Sequence, residues 1–256
     1  MKNEGDRYII QKLWTSLLIL SHVLLSYYFL RGWWVSSLGS ILILLFSYLI
    51  WKNDFLKVIG LTIDFKIGIK SIILAGLVTI CSLLLMKYIA HKQNIMIQCR
   101  NWRDYYHDIF YILNEEIVLG AIILYFLVNE RKLKPIIASA GLAVVFSLIH
   151  FIFYKWIFND KGIIEITTLI TLFLIGFIRN NLILHTGHIG YSWALHFGWM
   201  VIMFGSFHIY SDSMNPLPEP DRFNIYLGSI EMLTLSLVLA LGSLIYMKRK
   251  EKKYSP

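Results

Sequence analysis

Residues 105–128 read YYHDIFYILNEEIVLGAIILYFLV, an apolar run that carries two adjacent glutamates at its centre. About 20 helical residues cross the ~30 Å hydrocarbon core of a bilayer, so this run predicts a membrane-spanning helix. Its continuous apolar character favours a helix over a barrel strand, which would alternate between apolar and polar residues. Ionisable side chains inside a bilayer cost about 2.5–3.5 kcal/mol on insertion scales, so Glu115 and Glu116 mark a candidate functional site.

The rest of the chain repeats this pattern of apolar runs separated by short polar segments. Of the 256 residues, 57% are hydrophobic and 16% are charged, whereas soluble domains carry about 25% charged residues. We therefore predict an all-α fold, a polytopic transmembrane bundle of about eight helices, in a single integral membrane domain over residues 1–256. The predicted spans are 10–30, 33–51, 70–90, 105–128, 135–158, 163–184, 188–210 and 225–247.

The distribution of positive charge predicts the orientation and the partners. The net charge is +8, and Lys and Arg cluster between the apolar runs and in a basic cytoplasmic tail at residues 248–256. Placing both termini in the cytoplasm puts most of these residues on the cytoplasmic side, as membrane proteins prefer. Lys92, Arg100 and Arg103 are exceptions, because this orientation leaves them outside. Such basic clusters attract anionic lipid, so we expect membrane lipid as a partner and no nucleic acid.

Two segments between the predicted spans have a distinct composition. Residues 52–70 are too charged to cross a membrane and mix apolar with basic side chains, which predicts an amphipathic element along the cytoplasmic interface. Residues 211–224 contain three of the five prolines and predict an extended external loop.

Two histidines in other spans could act together with the glutamates. His150 closes the stretch FSLIH, and counting from the outer helix ends places it at a depth similar to that of Glu115. The two side chains could therefore hold one water molecule, with the glutamate as general base. His196, in the stretch GYSWALHFGWM, could donate a hydrogen bond to a developing oxyanion.

Structural roles for the same four residues stay open at this point. Adjacent residues of an α-helix point about 100° apart, so we expect only one of Glu115 and Glu116 to serve the bundle interior, with the other as its partner. The acids could also be a purely structural pair, His150 a satisfied interface histidine, and His196 part of an interfacial aromatic belt. The sequence has no HExxH and no CxxC motif, so we predict no metal site and no cofactor.

The ordered set of Glu115 with Glu116, Phe146 with His150, and His196 resembles the CAAX protease and bacteriocin-processing family, also called ABI proteins. The family pattern is EExxxR, FxxxH and HxxxN or HxxxD, and its members include the type II CAAX prenyl endopeptidases. Residues 105–205 carry the resemblance and would form the catalytic core. The resemblance implies a glutamate-dependent intramembrane endopeptidase that needs no metal for hydrolysis. Glu115 would activate the water with His150, Glu116 would be the supporting acid, and His196 would help to form the oxyanion site.

The chain departs from the family pattern at two positions. Gly120 stands where the family has Arg, which leaves Glu116 protonated or paired elsewhere, with Arg179 as one candidate partner. Met200 stands where the family has Asn or Asp, and the loss of one oxyanion donor typically costs about 10²–10³ in rate. Ser192 and Asn181 are candidate replacements for that donor.

The resemblance implies hydrolysis of a peptide bond in a membrane-associated protein or peptide, with a C-terminal processing signal as one candidate substrate feature. The abundance of Ile, Lys and Asn suits a bacterial chain, so we expect a multi-pass protein of the bacterial cytoplasmic membrane. The alternative is a catalytically silent relative that acts as a bacteriocin-immunity or membrane scaffold protein, to which Gly120 and Met200 point. A proton-coupled transporter would also use buried acids, but the sequence lacks the paired broken helices and inverted repeat of that class.

Overall fold

The computed structural model describes residues 11–14, 33–61, 64–99, 106–153, 166–202, 207–210 and 225–254. Nine α-helical segments within these ranges are numbered here in chain order. They are α1 Trp33–Trp51, α2 Phe55–Val58, α3 Phe65–Lys92, α4 Tyr106–Glu115, α5 Ile123–Tyr125, α6 Pro135–Phe153, α7 Ile166–Thr186, α8 Gly190–Met200 and α9 Ile230–Tyr254.

The helix that contains the two glutamates is continuous but not uniformly α-helical. The π-helical segment Glu116–Ile122 joins α4 to α5, and a second π-helical segment, Phe126–Glu130, follows α5. Residues 106–130 therefore form one helix, called the central helix below. In a π-helix each N–H bonds to the carbonyl five residues earlier, and such turns are rare and often lie at functional sites.

The predicted helical character is confirmed for the described residues, but the predicted number of about eight spans is not. Four helices are long and apolar enough to cross a membrane, and a shorter apolar helix covers Pro135–His150. The first predicted span, 10–30, lies largely outside the described residues, of which only 11–14 fall inside it and are helical. The four long helices are Phe65–Lys92, Ile109–Glu130, Ile166–Thr186 and Ile230–Met247.

A short sheet interrupts the otherwise helical chain. Strands β1 (Met96–Cys99) and β2 (Phe207–Tyr210) pair antiparallel, with Met96 opposite Tyr210. The prediction that the seventh span continues to residue 210 is therefore wrong. Helix α8 ends at Met200, and residues 207–210 instead hydrogen-bond to a strand more than 100 positions earlier in the chain. The predicted loop 211–224 lies outside the described residues.

The segment that was predicted to lie along the interface is part of the folded bundle. Helix α3 begins at Phe65 rather than at residue 70, and the Asp64 carboxylate caps it by accepting a 2.9 Å hydrogen bond from the Lys66 N–H. Upstream, Val58 and Ile59 are completely buried. Gly60, at φ +65°, turns the chain here, and its carbonyl accepts a 2.8 Å hydrogen bond from Ile189 N–H just before α8. This turn therefore fixes the start of α8 against the rest of the bundle.

The share of buried residues differs among the four long helices, and it shows which of them lie at the centre of the bundle and which at its periphery. In the apolar stretch of Ile109–Glu130, 72% of the residues are buried, and in that of Ile166–Thr186, 56% are buried. The corresponding share is 22% both for α3 and for Ile230–Met247. Helix α7 packs against α6, α8 and α9, while α3 packs against α8 and α1 against α4. The exposed apolar side chains of α3 and α9 suit lipid contact, whereas the central helix and α7 face protein.

One ion pair bears on the predicted orientation. Lys92, one of the three cations that the orientation leaves outside, forms a 2.6 Å bond to Glu231 at the start of α9. The lysine side chain is 60% exposed, so this pair contributes little to stability. It does offset one of the positive charges that oppose the predicted orientation.

Candidate functional site

Both glutamates of the central helix face the protein interior. Glu115 is 4% exposed and Glu116 is fully buried. The prediction that only one of them would serve the interior is therefore wrong. The π-helical turn that begins at Glu116 has more residues per turn than an α-helix, so successive side chains diverge by less than 100°.

Arg179 of α7 lies between the two carboxylates. Its Nη1 donates to Glu115 Oε1 at 3.3 Å and lies 3.5 Å from Glu116 Oε1. The arginine side chain is 1% exposed, and its Cζ lies 4.3 Å from the centre of the Phe146 ring, within range of a cation–π interaction. The predicted pairing of Glu116 with Arg179 is confirmed, and the same cation also serves Glu115.

The surroundings of Gly120 explain why the cation that pairs with the glutamates comes from α7 and not from position 120 of the central helix. A Cβ atom at this position would lie 2.7 Å from Ile183 Cδ1 and 3.5 Å from Glu116 Oε2. Ile183, one turn after Arg179 on α7, thus occupies the space that a side chain at position 120 would need. The central helix can supply no cation here without displacing Ile183, whereas α7 brings Arg179 to the same carboxylates.

His196 of α8 contacts Glu116 at the same carboxylate oxygen as Arg179. Its Nδ1 lies 2.9 Å from Glu116 Oε1, and the ring is 1% exposed. A carboxylate only accepts hydrogen bonds, so Nδ1 carries the proton and donates. The ring stacks on Trp199 at 5.6 Å and meets the edge of Phe146 at the same centroid distance. The alternative of an interfacial belt does not describe this histidine, because its ring lies inside the bundle.

His150 reaches the site through Phe146, its neighbour one helical turn earlier on α6. Its Nδ1 donates to the Phe146 carbonyl at 2.7 Å, and the two rings lie 4.5 Å apart. The charged or titratable groups that act on it electrostatically are Glu115, His196 and Arg179. The Phe146 ring is therefore the common contact of His150, His196 and Arg179. Sequence reasoning gave Phe146 no role of its own, although its i, i+4 spacing from His150 places both on one helix face.

The four predicted residues thus come together. The two residues proposed to replace the oxyanion donor missing at Met200 have different surroundings. Met200 is buried in an apolar cluster and offers no donor. Asn181 accepts from Ser139 Oγ at 2.7 Å and donates to Ser243 Oγ at 2.9 Å, so it joins α6, α7 and α9 away from the site. Ser192 lies beside Glu116, but its hydroxyl donates to the Ile189 carbonyl at 2.9 Å. Asn181 is therefore not the replacement donor.

Three polar atoms at the site have no hydrogen-bond partner among the described residues. They are Glu116 Oε2, Arg179 Nε and His196 Nε2, and each is buried. Buried polar atoms are almost always hydrogen-bonded, to protein or to ordered water. An acceptor, a donor and an imidazole nitrogen of this kind can each bond to a water molecule or to a polar group of a substrate.

No group of three or more His, Cys, Asp or Glu side chains is placed to hold a metal ion within the described ranges. The space between the two carboxylates is occupied by the guanidinium of Arg179 instead.

Comparison of the chain with models of known protein families, with curated proteins and with solved structures finds no match. The fold and site define a helical protein with membrane-length helices and a buried Glu–Arg–His cluster. Membership of the CAAX protease and bacteriocin-processing family stays a prediction from the motif residues.

Proposed function

We propose that the chain is a CAAX-protease-like intramembrane endopeptidase that hydrolyses a peptide bond of a membrane-associated protein or peptide. The observation that carries this proposal is that Glu115, Glu116, His150 and His196 come from three helices to one buried cluster. In this cluster Arg179 pairs with both glutamates, and the Phe146 ring contacts both histidines. Each of these four side chains is at most 4% exposed. Buried ionisable groups in membrane-length helices are costly, and proteins keep them mainly for function.

The chemistry follows from what each group can donate or accept. Glu115 takes a proton from a water molecule, and the water oxygen attacks the carbonyl carbon of the scissile bond. His150, in contact with the same region, orients that water. The tetrahedral intermediate then breaks the C–N bond, and the proton held by Glu115 passes to the leaving amine. Glu116 is held by His196 and Arg179 and orients both of them.

Arg179 takes over the roles of two family positions in this proposal. Its Nη1 pairs with the carboxylates, as an arginine at position 120 would. Its Nε has no hydrogen-bond partner among the described residues, so it is available to donate to the oxyanion in place of the side chain missing at Met200. A single residue of α7 thus accounts for both departures from the family pattern.

The proposed location is the bacterial cytoplasmic membrane, with both termini in the cytoplasm. Four helices of sufficient length and apolarity are compatible with a multi-pass membrane protein. The positive charge between the apolar runs and in residues 248–256 supports the orientation. A C-terminal processing signal is the substrate feature that the family resemblance favours.

The second candidate is a catalytically silent relative that acts as an immunity or scaffold protein. The observation that favours it is that the carboxylates already have partners, since Arg179 and His196 pair with them without a substrate. Such a network would tie the central helix to α7 and α8. In that case the site is a structural element, and the protein acts by binding.

The test compares cells that express the wild type, Glu115→Gln or His150→Ala in place of the chromosomal copy. New protein termini in the membrane fraction are quantified by mass spectrometry after selective labelling of free amines. We expect a set of cleaved membrane proteins that is present with the wild type and absent with both variants. Glu231→Gln is the matched control, because it neutralises an acid on a membrane-length helix whose partner is Lys92.

Unchanged cleavage products in Glu115→Gln, with the variant present at wild-type level, would refute catalysis by this site. A bacteriocin challenge separates the second candidate. Protection that survives both Glu115→Gln and His150→Ala would favour the immunity or scaffold role.

A further inference from the structure

A cavity lies at the end of the bundle where the central helix finishes, away from the Lys92–Glu231 pair. Its volume is about 420 Å³, within the range of small-molecule sites. Lys57 and Asn129 line its mouth and are exposed, while Val58 and Ala121 line its interior and are buried. The cavity therefore opens at one end and has a closed, apolar floor.

The chemistry of the interior decides which kind of molecule fits. The buried part of the wall consists largely of apolar side chains, namely those of Val58, Ala121, Leu124, Ile183 and Met247. A peptide segment inserted there would leave backbone N–H and C=O groups without partners, and each such group costs free energy. A hydrocarbon chain has no polar groups to satisfy and gains from burial.

The mouth has the opposite character. The Lys57 amine lies 5.9 Å from the centre of the Tyr125 ring, which also lines the cavity. The loop between the lining residues Asn129 and Pro135 carries three further cations and one acid. The cations Arg131, Lys132 and Lys134 are exposed, and the acid, Glu130, is partly buried. A net positive mouth attracts an anion.

We propose that this cavity binds one acyl chain that ends in an anionic headgroup. The chain would fill the apolar interior, and the carboxylate or phosphate would lie at the mouth beside Lys57. A free fatty acid and an acidic phospholipid offer the same chemistry. The proposal does not depend on the proposed protease activity.

Ile183 connects the cavity wall to the part of the central helix that carries the buried acids. Ile183 lines the cavity, and its Cδ1 lies against Gly120, where a Cβ would also meet Glu116 Oε2 at 3.5 Å. An acyl chain in the cavity would press Ile183 against Gly120. A bound acyl chain would therefore restrict the movement of the Ile183 side chain beside Glu116.

The test uses the purified full chain in nanodiscs of zwitterionic phosphatidylcholine. A nitroxide-labelled stearic acid is titrated in, and its immobilised fraction is measured by electron paramagnetic resonance. We expect one immobilised probe per protein, displaced by oleic acid at a concentration about tenfold lower than by oleyl alcohol, because only the acid bonds to a cation. Competition by dioleoyl phosphatidic acid distinguishes a phospholipid from a free fatty acid as the source, and displacement by either supports the proposal.

Two variants locate the site. Lys57→Gln should remove the roughly tenfold preference for the acid, while Lys52→Gln, an exposed lysine of the same segment that does not line the cavity, should keep it. Ala121→Phe, which fills the floor, should abolish the immobilised signal.

Equal displacement of the probe by acid and alcohol in the wild type would overturn the proposal without any variant. Retention of the signal by Ala121→Phe would overturn it as well. So would displacement by an apolar peptide with a free carboxyl terminus when oleic acid has no effect, because the cavity would then be a peptide site.

Discussion

Replacing Arg179 by Gln tests whether one buried cation holds the site together. The Arg179 side chain is 1% exposed, and its Nη1 contacts both Glu115 and Glu116. The substitution keeps a side chain with hydrogen-bonding groups but removes the positive charge. Two carboxylates would then lie next to each other in the protein interior without a cation between them.

The expected loss of stability follows from the burial of the pair. Removing one partner of a buried ion pair costs about 3–5 kcal/mol, because an uncompensated charge stays behind. Some of the lost stability should be regained when the two acids are neutralised as well. We therefore expect Arg179→Gln combined with Glu115→Gln and Glu116→Gln to be more stable than Arg179→Gln alone, by at least about 1 kcal/mol.

The assay is unfolding of the purified chain in mixed micelles by increasing mole fraction of sodium dodecyl sulfate, followed by circular dichroism. Lys92→Gln is the matched control, since it also breaks a Lys/Arg–Glu pair, but one whose cation is 60% exposed. We expect no measurable effect from it. A loss below about 1 kcal/mol in Arg179→Gln would place the pair in the range of surface ion pairs and refute the reasoning.

Two further predictions concern packing near the site and use the same unfolding assay. Gly120→Ala should destabilise by about 1–2 kcal/mol, because its Cβ would lie 2.7 Å from Ile183 Cδ1, and Ile183→Val, which removes that atom, should reverse the loss. A gain in stability from Gly120→Ala alone would contradict the packing argument. Asn181→Ala should cost about 1–2 kcal/mol through the hydrogen bonds lost between α6, α7 and α9, and should leave the cleavage products of Glu115-dependent catalysis unchanged. Loss of those products in a stably folded Asn181→Ala protein would place this residue in the site after all.

The sequence predicts the helices well where apolar length alone decides. Residues 105–128 and 163–184 both lie close to helices of the structure. The start of α3 was missed because Lys66 and Lys70 suggest a loop, although long basic side chains can extend to the membrane surface from a helix end. The pairing of Met96–Cys99 with Phe207–Tyr210 was missed because it joins segments far apart in the chain, which no local pattern reveals.

The motif spacing located the polar residues of the site but not their geometry. Glu115, Glu116, His150 and His196 were selected from the sequence, and the structure buries all four side chains. That both glutamates point inward depends on π-helical bonding from Glu116 onward, for which the apolar run gives no signal.

Which polar side chain of α7 faces the buried acids depends on how the helix is rotated about its axis. Arg179 and Asn181 are two residues apart, which on an α-helix separates their directions by about 200°. One consequently faces the acids, and the other faces Ser139 and Ser243. Their proximity in sequence gave no indication of this, because the orientation of α7 about its axis is set by its neighbours.

The shared cation has a consequence for how the chain is assembled by the insertion machinery. The central helix carries two acids, and α7 carries Arg179, Asn180 and Asn181 in succession, so each alone would enter lipid at a penalty. Pairing Arg179 with Glu115 and Glu116 removes much of that penalty for both. The central helix emerges from the ribosome before α7, so its two acids would lack their cation until α7 has been synthesised. Each helix would therefore become more stable in the membrane once the other has been inserted.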